Sequence, residues 1–155
     1  MWKPFLFIFL ASFALGGIPP VVAKEAQTPT LDLSGTWNFQ TSDHKSYGIC
    51  EKGKDYTGTL TITQTGDKVK LVFNSGPILC SPPAACAYEG KIKGNQVYFH
   101  NASVAQGGRG TMLKSIHLKL DSPTSASGKS RDIKNFIGGS MCEWTSQIKL
   151  NKTSK

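Results

Sequence analysis

Four cysteines, Cys50, Cys80, Cys86 and Cys142, are the side chains of this 155-residue sequence best suited to covalent chemistry. Their number is even and they form no C-x-x-C pair, which favours structural disulfides over metal ligation or thiol exchange. Three pairings are open. Cys80 and Cys86 enclose Ser-Pro-Pro-Ala-Ala, where Pro82 and Pro83 bend the chain so that a small loop closes easily. That pairing leaves Cys50 for Cys142, a link between the early and final parts of the fold. By loop-closure entropy the short bridge contributes about 2 kcal/mol and the long one about 4.5 kcal/mol, so the long bridge is expected to be the main staple.

The remaining reactive residues do not assemble into a pattern. His44 lies in a polar turn, His117 alternates with apolar neighbours, His100 shares a face with Tyr98, and none belongs to an H-E-x-x-H or comparable spacing. Asp43, Glu51 and Asp55 fall in loops with no periodicity to bring them together. Gln106-Gly107-Gly108-Arg109-Gly110-Thr111 lacks the G-K-[ST] that would hold a phosphate and reads as a flexible connection. There is no G-x-S-x-G nucleophile elbow. The expectation is therefore no catalytic residue, no metal site, no cofactor and no enzymatic activity. Asn101-Ala102-Ser103 and Asn151-Lys152-Thr153 match the glycosylation sequon, which matters only in a eukaryotic source.

The elements that carry these residues begin after a targeting segment. Lys3, the apolar run Phe5 to Leu15, the Gly16-Gly17 and Pro19-Pro20 pairs and the ending Val21-Val22-Ala23 have the parts of a secretory signal peptide, residues 1–23. The run is too short for a comfortable membrane span. Cleavage near Ala23 leaves residues 24–155 as one domain in the secreted or periplasmic space, with no membrane span. Eighteen Lys and Arg against ten Asp and Glu give a net charge of +8. This favours an anionic surface or protein partner without specifying a nucleic acid. The lysines are spread in short pairs, including Lys68-x-Lys70 and Lys91-x-Lys93, and read as a solvated strand face.

Alternation of apolar and polar residues dominates the mature chain. Thr59–Thr63 and Lys68–Phe73 form a hairpin across Thr65-Gly66-Asp67, Glu89–Lys93 and Gln96–His100 another across Gly94-Asn95, and Ser115–Leu120 and Ser125–Lys129 a third. Strands are also expected at Gly35–Gln40, near Lys45–Cys50 and at Glu143–Leu150. Asp132 could cap a short helix in which Ile133, Phe136 and Ile137 share a face, ended by Gly138-Gly139. The fold class is all-β: an antiparallel up-and-down barrel of about eight strands with one short helix before the last strand, closed by pairing the last strand with the first. Its inward set includes Trp37, Phe39, Leu60, Ile62, Val69, Leu71, Phe73, Ile92, Val97, Phe99, Ile116, Leu118, Leu120, Trp144, Ile148 and Leu150.

Leu33-Ser34-Gly35-Thr36-Trp37 resembles the G-x-W opening of calycin barrels, the group containing lipocalins and avidins, and Tyr56-Thr57-Gly58-Thr59 resembles an early avidin strand. The resemblance implies that Gly35 allows a close approach of neighbouring chain and that Trp37 closes one barrel end, with Trp144 the other tryptophan of the barrel. The lipocalin T-D-Y signature and the further tryptophans of avidins are absent, so biotin contacts are not carried over. The function expected is binding of a small apolar or amphipathic ligand inside the barrel by residues not yet identifiable, the loops around Cys80–Cys86 and Val104–Thr111 framing the mouth. The alternative is a solid barrel that presents those loops to a protein or anionic polymer. An interior of eight strands is just wide enough for either, and a cavity of about 300 Å³ or more would favour the ligand.

Overall fold

A computed structural model describes residues 31–76, 86–105 and 108–153. The signal segment expected at residues 1–23 and Cys80 lie outside the described residues.

Eight strands run antiparallel in chain order and close into a barrel: β1 (Gly35–Gly48), β2 (Thr57–Thr65), β3 (Lys68–Phe73), β4 (Ala87–Lys93), β5 (Gln96–Val104), β6 (Gly110–Ser122), β7 (Ser125–Phe136) and β8 (Met141–Lys152). Closure is made by β1 against β8, from Trp37 opposite Lys152 to Gly48 opposite Cys142. This pairing removes both free sheet edges, the liability that consecutive hairpins otherwise leave. The two strands expected within residues 35–50 are one continuous strand, whose register against β8 shifts between Ser42 and Lys45. Asp43 absorbs the irregularity with a φ of 54°.

The helix expected from Asp132 to Ile137 does not form. The spacing of Ile133, Phe136 and Ile137 fits a helical face, but residues to Phe136 belong to β7 and pair with both β6 and β8. Ile133 lies between Leu113 and Glu143 in this register, and a helix would leave Gly110–Lys114 of β6 unpaired on the edge away from β5. Gly138 and Gly139, with φ of 104° and 89°, turn the chain into β8 instead of ending a helix. Tertiary strand pairing here overrides a weak local preference.

The core fills one end of the barrel. Trp37 is fully buried at 0% exposure and its Nε1 donates to the Leu33 carbonyl at 2.9 Å. Leu33, Leu60, Ile62, Leu71, Val97 and Leu150 are buried with it. Lys152 lies over the Trp37 ring, 5.6 Å from its centroid, and donates from Nζ to the Asp32 carbonyl at 3.1 Å. Gly35, at a φ of 135°, leaves room for that lysine: a Cβ would stand 3.0 Å from Lys152 Cε. Phe73, Ile92 and Trp144, expected inside, are only partly buried, the first two packing against the core cluster.

Cys50 and Cys142 form a disulfide across 92 residues. Cys86 is also disulfide-bonded. Bridges of this kind form and persist in oxidising compartments.

Candidate functional site

Each long strand points alternate side chains inward, and on several of them the inward stripe changes character along its length. On β6 it runs from Leu120, Leu118 and Ile116 to Lys114 and Met112; on β8 from Leu150 and Ile148 to Ser146 and Trp144; on β1 from Trp37 and Phe39 to Thr41. On β7 the polar half is Ser130 and Asp132. The apolar halves pack into the core, while the polar halves surround a cavity of about 430 Å³ at the end opposite Trp37. That volume lies within the ordinary range of small-molecule sites, roughly 300–1,000 Å³.

The register fixes the polar wall. Lys114 of β6 lies directly opposite Asp132 of β7, which lies opposite Trp144 of β8. One step deeper, Ile116, Ser130 and Ser146 follow in the same order, and the two serine hydroxyls hydrogen-bond at 2.7 Å. Lys114 is only 7% exposed. Burial pushes the Asp132 carboxyl above the usual carboxylate range, and Lys114 offsets part of the rise. Burial, with Asp132 nearby, pushes the Tyr88 phenol far up, so its hydroxyl stays protonated. Phe39 of β1 and Phe73 of β3 give the cavity its apolar side, and Ile148 lies below Ser146 on β8. Phe73 meets Phe39 and Tyr88 edge to face at 4.9 and 5.7 Å.

The segment between β1 and β2 crosses the mouth. Glu51, Lys52, Gly53 and Tyr56 all line the cavity. Cys50 ties the segment to β8, the Trp144 Nε1 donates to the Glu51 carbonyl at 3.0 Å, and Thr41 exchanges bonds with the Tyr56 backbone, each at 2.8 Å from nitrogen. The Cys50–Cys142 bridge therefore positions the mouth as well as the closing strands. Exposed apolar residues Ile49, Val104, Ile137 and Met141 stand around the same end.

The arrangement offers binding groups rather than a proton relay. His44 Nε2 is 3.0 Å from Thr41 Oγ1 and 3.9 Å from Asp55 Oδ1. Both partners meet the same ring nitrogen, whereas a relay needs one on each. Among the described residues no three His, Cys, Asp or Glu side chains converge as metal ligands. His100 and His117 are exposed on the outer wall. Arg131 and Glu143 pair outside the barrel, Nε and Nη2 donating to the two carboxylate oxygens at 2.8 and 3.1 Å, which holds Glu143 below its usual range.

Trp144 lines the cavity at the mouth and Trp37 is sealed at the far end. Of the loops expected to frame the mouth, residues 77–85 and 106–107 lie outside the described residues. The polar wall of Lys114, Ser130, Asp132 and Ser146 was not anticipated from the sequence. The continuing two-residue phase beyond Ile116 and Ile148 points to Lys114 and Ser146.

Comparison with known proteins finds no protein-family model that matches the chain and no significant match among curated proteins.

Proposed function

We propose that the protein is an exported, calycin-like barrel that binds a small amphipathic molecule without transforming it. The observation that carries the reading is the two-sided cavity of about 430 Å³, lined by Phe39 and Phe73 as well as by the polar groups of Lys114, Ser130, Asp132 and Ser146. A solid core would bury such a wall at considerable cost, since polar groups taken from water need compensating partners. The wall contains both donors and acceptors, so it suits a head group with both functions better than a simple hydrocarbon. The apolar signal segment at residues 1–23 and the disulfides support export.

The test is a thermal-shift screen of the oxidised protein against alkyl compounds bearing carboxylate, hydroxyl, amide or amine heads, with Trp144 fluorescence as a second readout. A ligand at a hundredfold excess over Kd should stabilise the fold by about 2.7 kcal/mol. Ser146→Leu, which narrows the cavity and removes the hydroxyl bonded to Ser130, should weaken the shift for polar-headed ligands. Absence of a shift across the series, or undiminished binding by Ser146→Leu, refutes the reading.

A further inference from the structure

The outer wall carries a feature that cavity binding does not use. Strand register aligns Lys68 of β3, Lys91 of β4, Tyr98 of β5, His117 of β6 and Lys129 of β7 in one continuous row of directly opposed residues. All five are exposed. Lys68 faces Lys91 with no carboxylate between them, and like charges directly opposite on a sheet face are destabilising. A parallel row places Lys93, Lys119 and Lys149 on alternate strands, separated by Gln96 and Ser127. Tyr98 stacks on His117 with ring centroids 4.2 Å apart and planes inclined by 18°, which leaves the other face of Tyr98 toward Lys91. Over Lys68, Lys70, Lys91 and Tyr98 lies a groove of about 620 Å³, which Thr63 and Thr65 also line with hydroxyls. Glu89 is the carboxylate of the groove among the described residues.

We infer that this groove and the lysine rows beside it bind a linear anionic polysaccharide along the outside of the barrel, at a site separate from the cavity. Adjacent strands are about 4.8 Å apart, so Lys68 and Lys91 stand one strand spacing apart and Lys93, Lys119 and Lys149 two, a ladder of positive charge that an extended chain of anionic sugars can follow. The uncovered face of Tyr98 and the threonine hydroxyls suit sugar rings and their hydroxyls. A single-stranded nucleic acid would need several open aromatic faces for its bases, and here Tyr98 has one face covered by His117. A bilayer would need apolar side chains to insert, and Tyr98 is the large exposed apolar residue of this face, whereas Ile49, Val104, Ile137 and Met141 stand at the barrel mouth.

Labelled heparin is the probe, with binding to the full exported protein measured over a range of NaCl concentrations. The double variant Lys68→Gln/Lys91→Gln should weaken heparin binding about tenfold or more and flatten its salt dependence, because fewer counterions are released. Its thermal stability should stay level or rise, since a like-charge pair is removed. Lys68→Arg/Lys91→Arg should retain binding, which separates loss of charge from loss of fold. Lys45→Gln/Lys54→Gln removes the same amount of charge away from the groove and should change affinity less than about twofold. An equal loss in that control, no loss in the groove variant, or tighter binding to single-stranded DNA or phosphatidylglycerol vesicles at matched salt overturns the assignment. Cavity ligands should bind the groove variant unchanged, and displacement of heparin by a cavity ligand would also overturn it.

Discussion

The cavity reading makes its sharpest demand on Lys114 and Asp132. Opposed in register on β6 and β7, they place an ammonium and a carboxyl in the wall of a barrel, with Lys114 only 7% exposed. Breaking a fully buried ion pair costs about 3–5 kcal/mol because one charge is left uncompensated, yet replacing both partners by apolar residues is often neutral or stabilising. Both groups line a cavity rather than a dry core, so a cost below that scale applies. We expect Asp132→Leu and Lys114→Met each to cost about 2 kcal/mol, and Lys114→Met/Asp132→Leu about 1 kcal/mol or less, a coupling of about 3 kcal/mol. Urea denaturation of the four proteins, fitted with a common slope, measures the cycle. The same double variant should lose its preference for ligands with polar heads while still binding an alkyl chain. Costs that add to within about 0.5 kcal/mol would show that the two groups do not interact and would remove the polar wall from the argument.

Three further outcomes follow from other parts of the molecule. Trp37→Ala deletes a fully buried indole and its bond to the Leu33 carbonyl, and should cost about 3–5 kcal/mol in denaturant titration, whereas a loss below about 1 kcal/mol would contradict its place in the core. Cys142→Ser should cost about 2–5 kcal/mol, since the bridge closes a loop spanning 92 residues, and should also weaken ligand binding because the segment across the mouth loses its tether; equal affinity in the variant would detach the bridge from the site. Burial holds Asp132 above its unfolded value, so its contribution to stability is present at acid pH and is lost as pH rises through the raised pKa. The stability difference between wild type and Asp132→Asn should therefore shrink with rising pH in paired urea titrations, and a difference that widens would mean that Lys114 outweighs burial.

How far the sequence discloses this molecule depends on the distance over which each feature is decided. The hairpins at Gly66 and Gly94 combine turn residues with alternation within a dozen positions, and the barrel follows from their succession. Residues 132–137 mislead because Ile133, Phe136 and Ile137 satisfy a helical spacing, and their strand conformation is imposed by β6 and β8, which local sequence does not contain. The segment across the mouth has no periodicity; its position comes from Cys142 and from the Trp144 bond to Glu51, 93 residues away. The cavity wall is a subtler case, because Lys114 and Lys119 are the same residue type on one strand and differ only in phase. Lys119 falls on the outward positions with His117, while Lys114 continues Leu120, Leu118 and Ile116 inward. A polar residue that keeps the inward phase of a barrel strand is therefore more informative than any isolated histidine or carboxylate here. Where adjacent strands turn polar at neighbouring registers, as Lys114, Asp132, Ser130 and Ser146 do, the apolar core ends and the cavity begins.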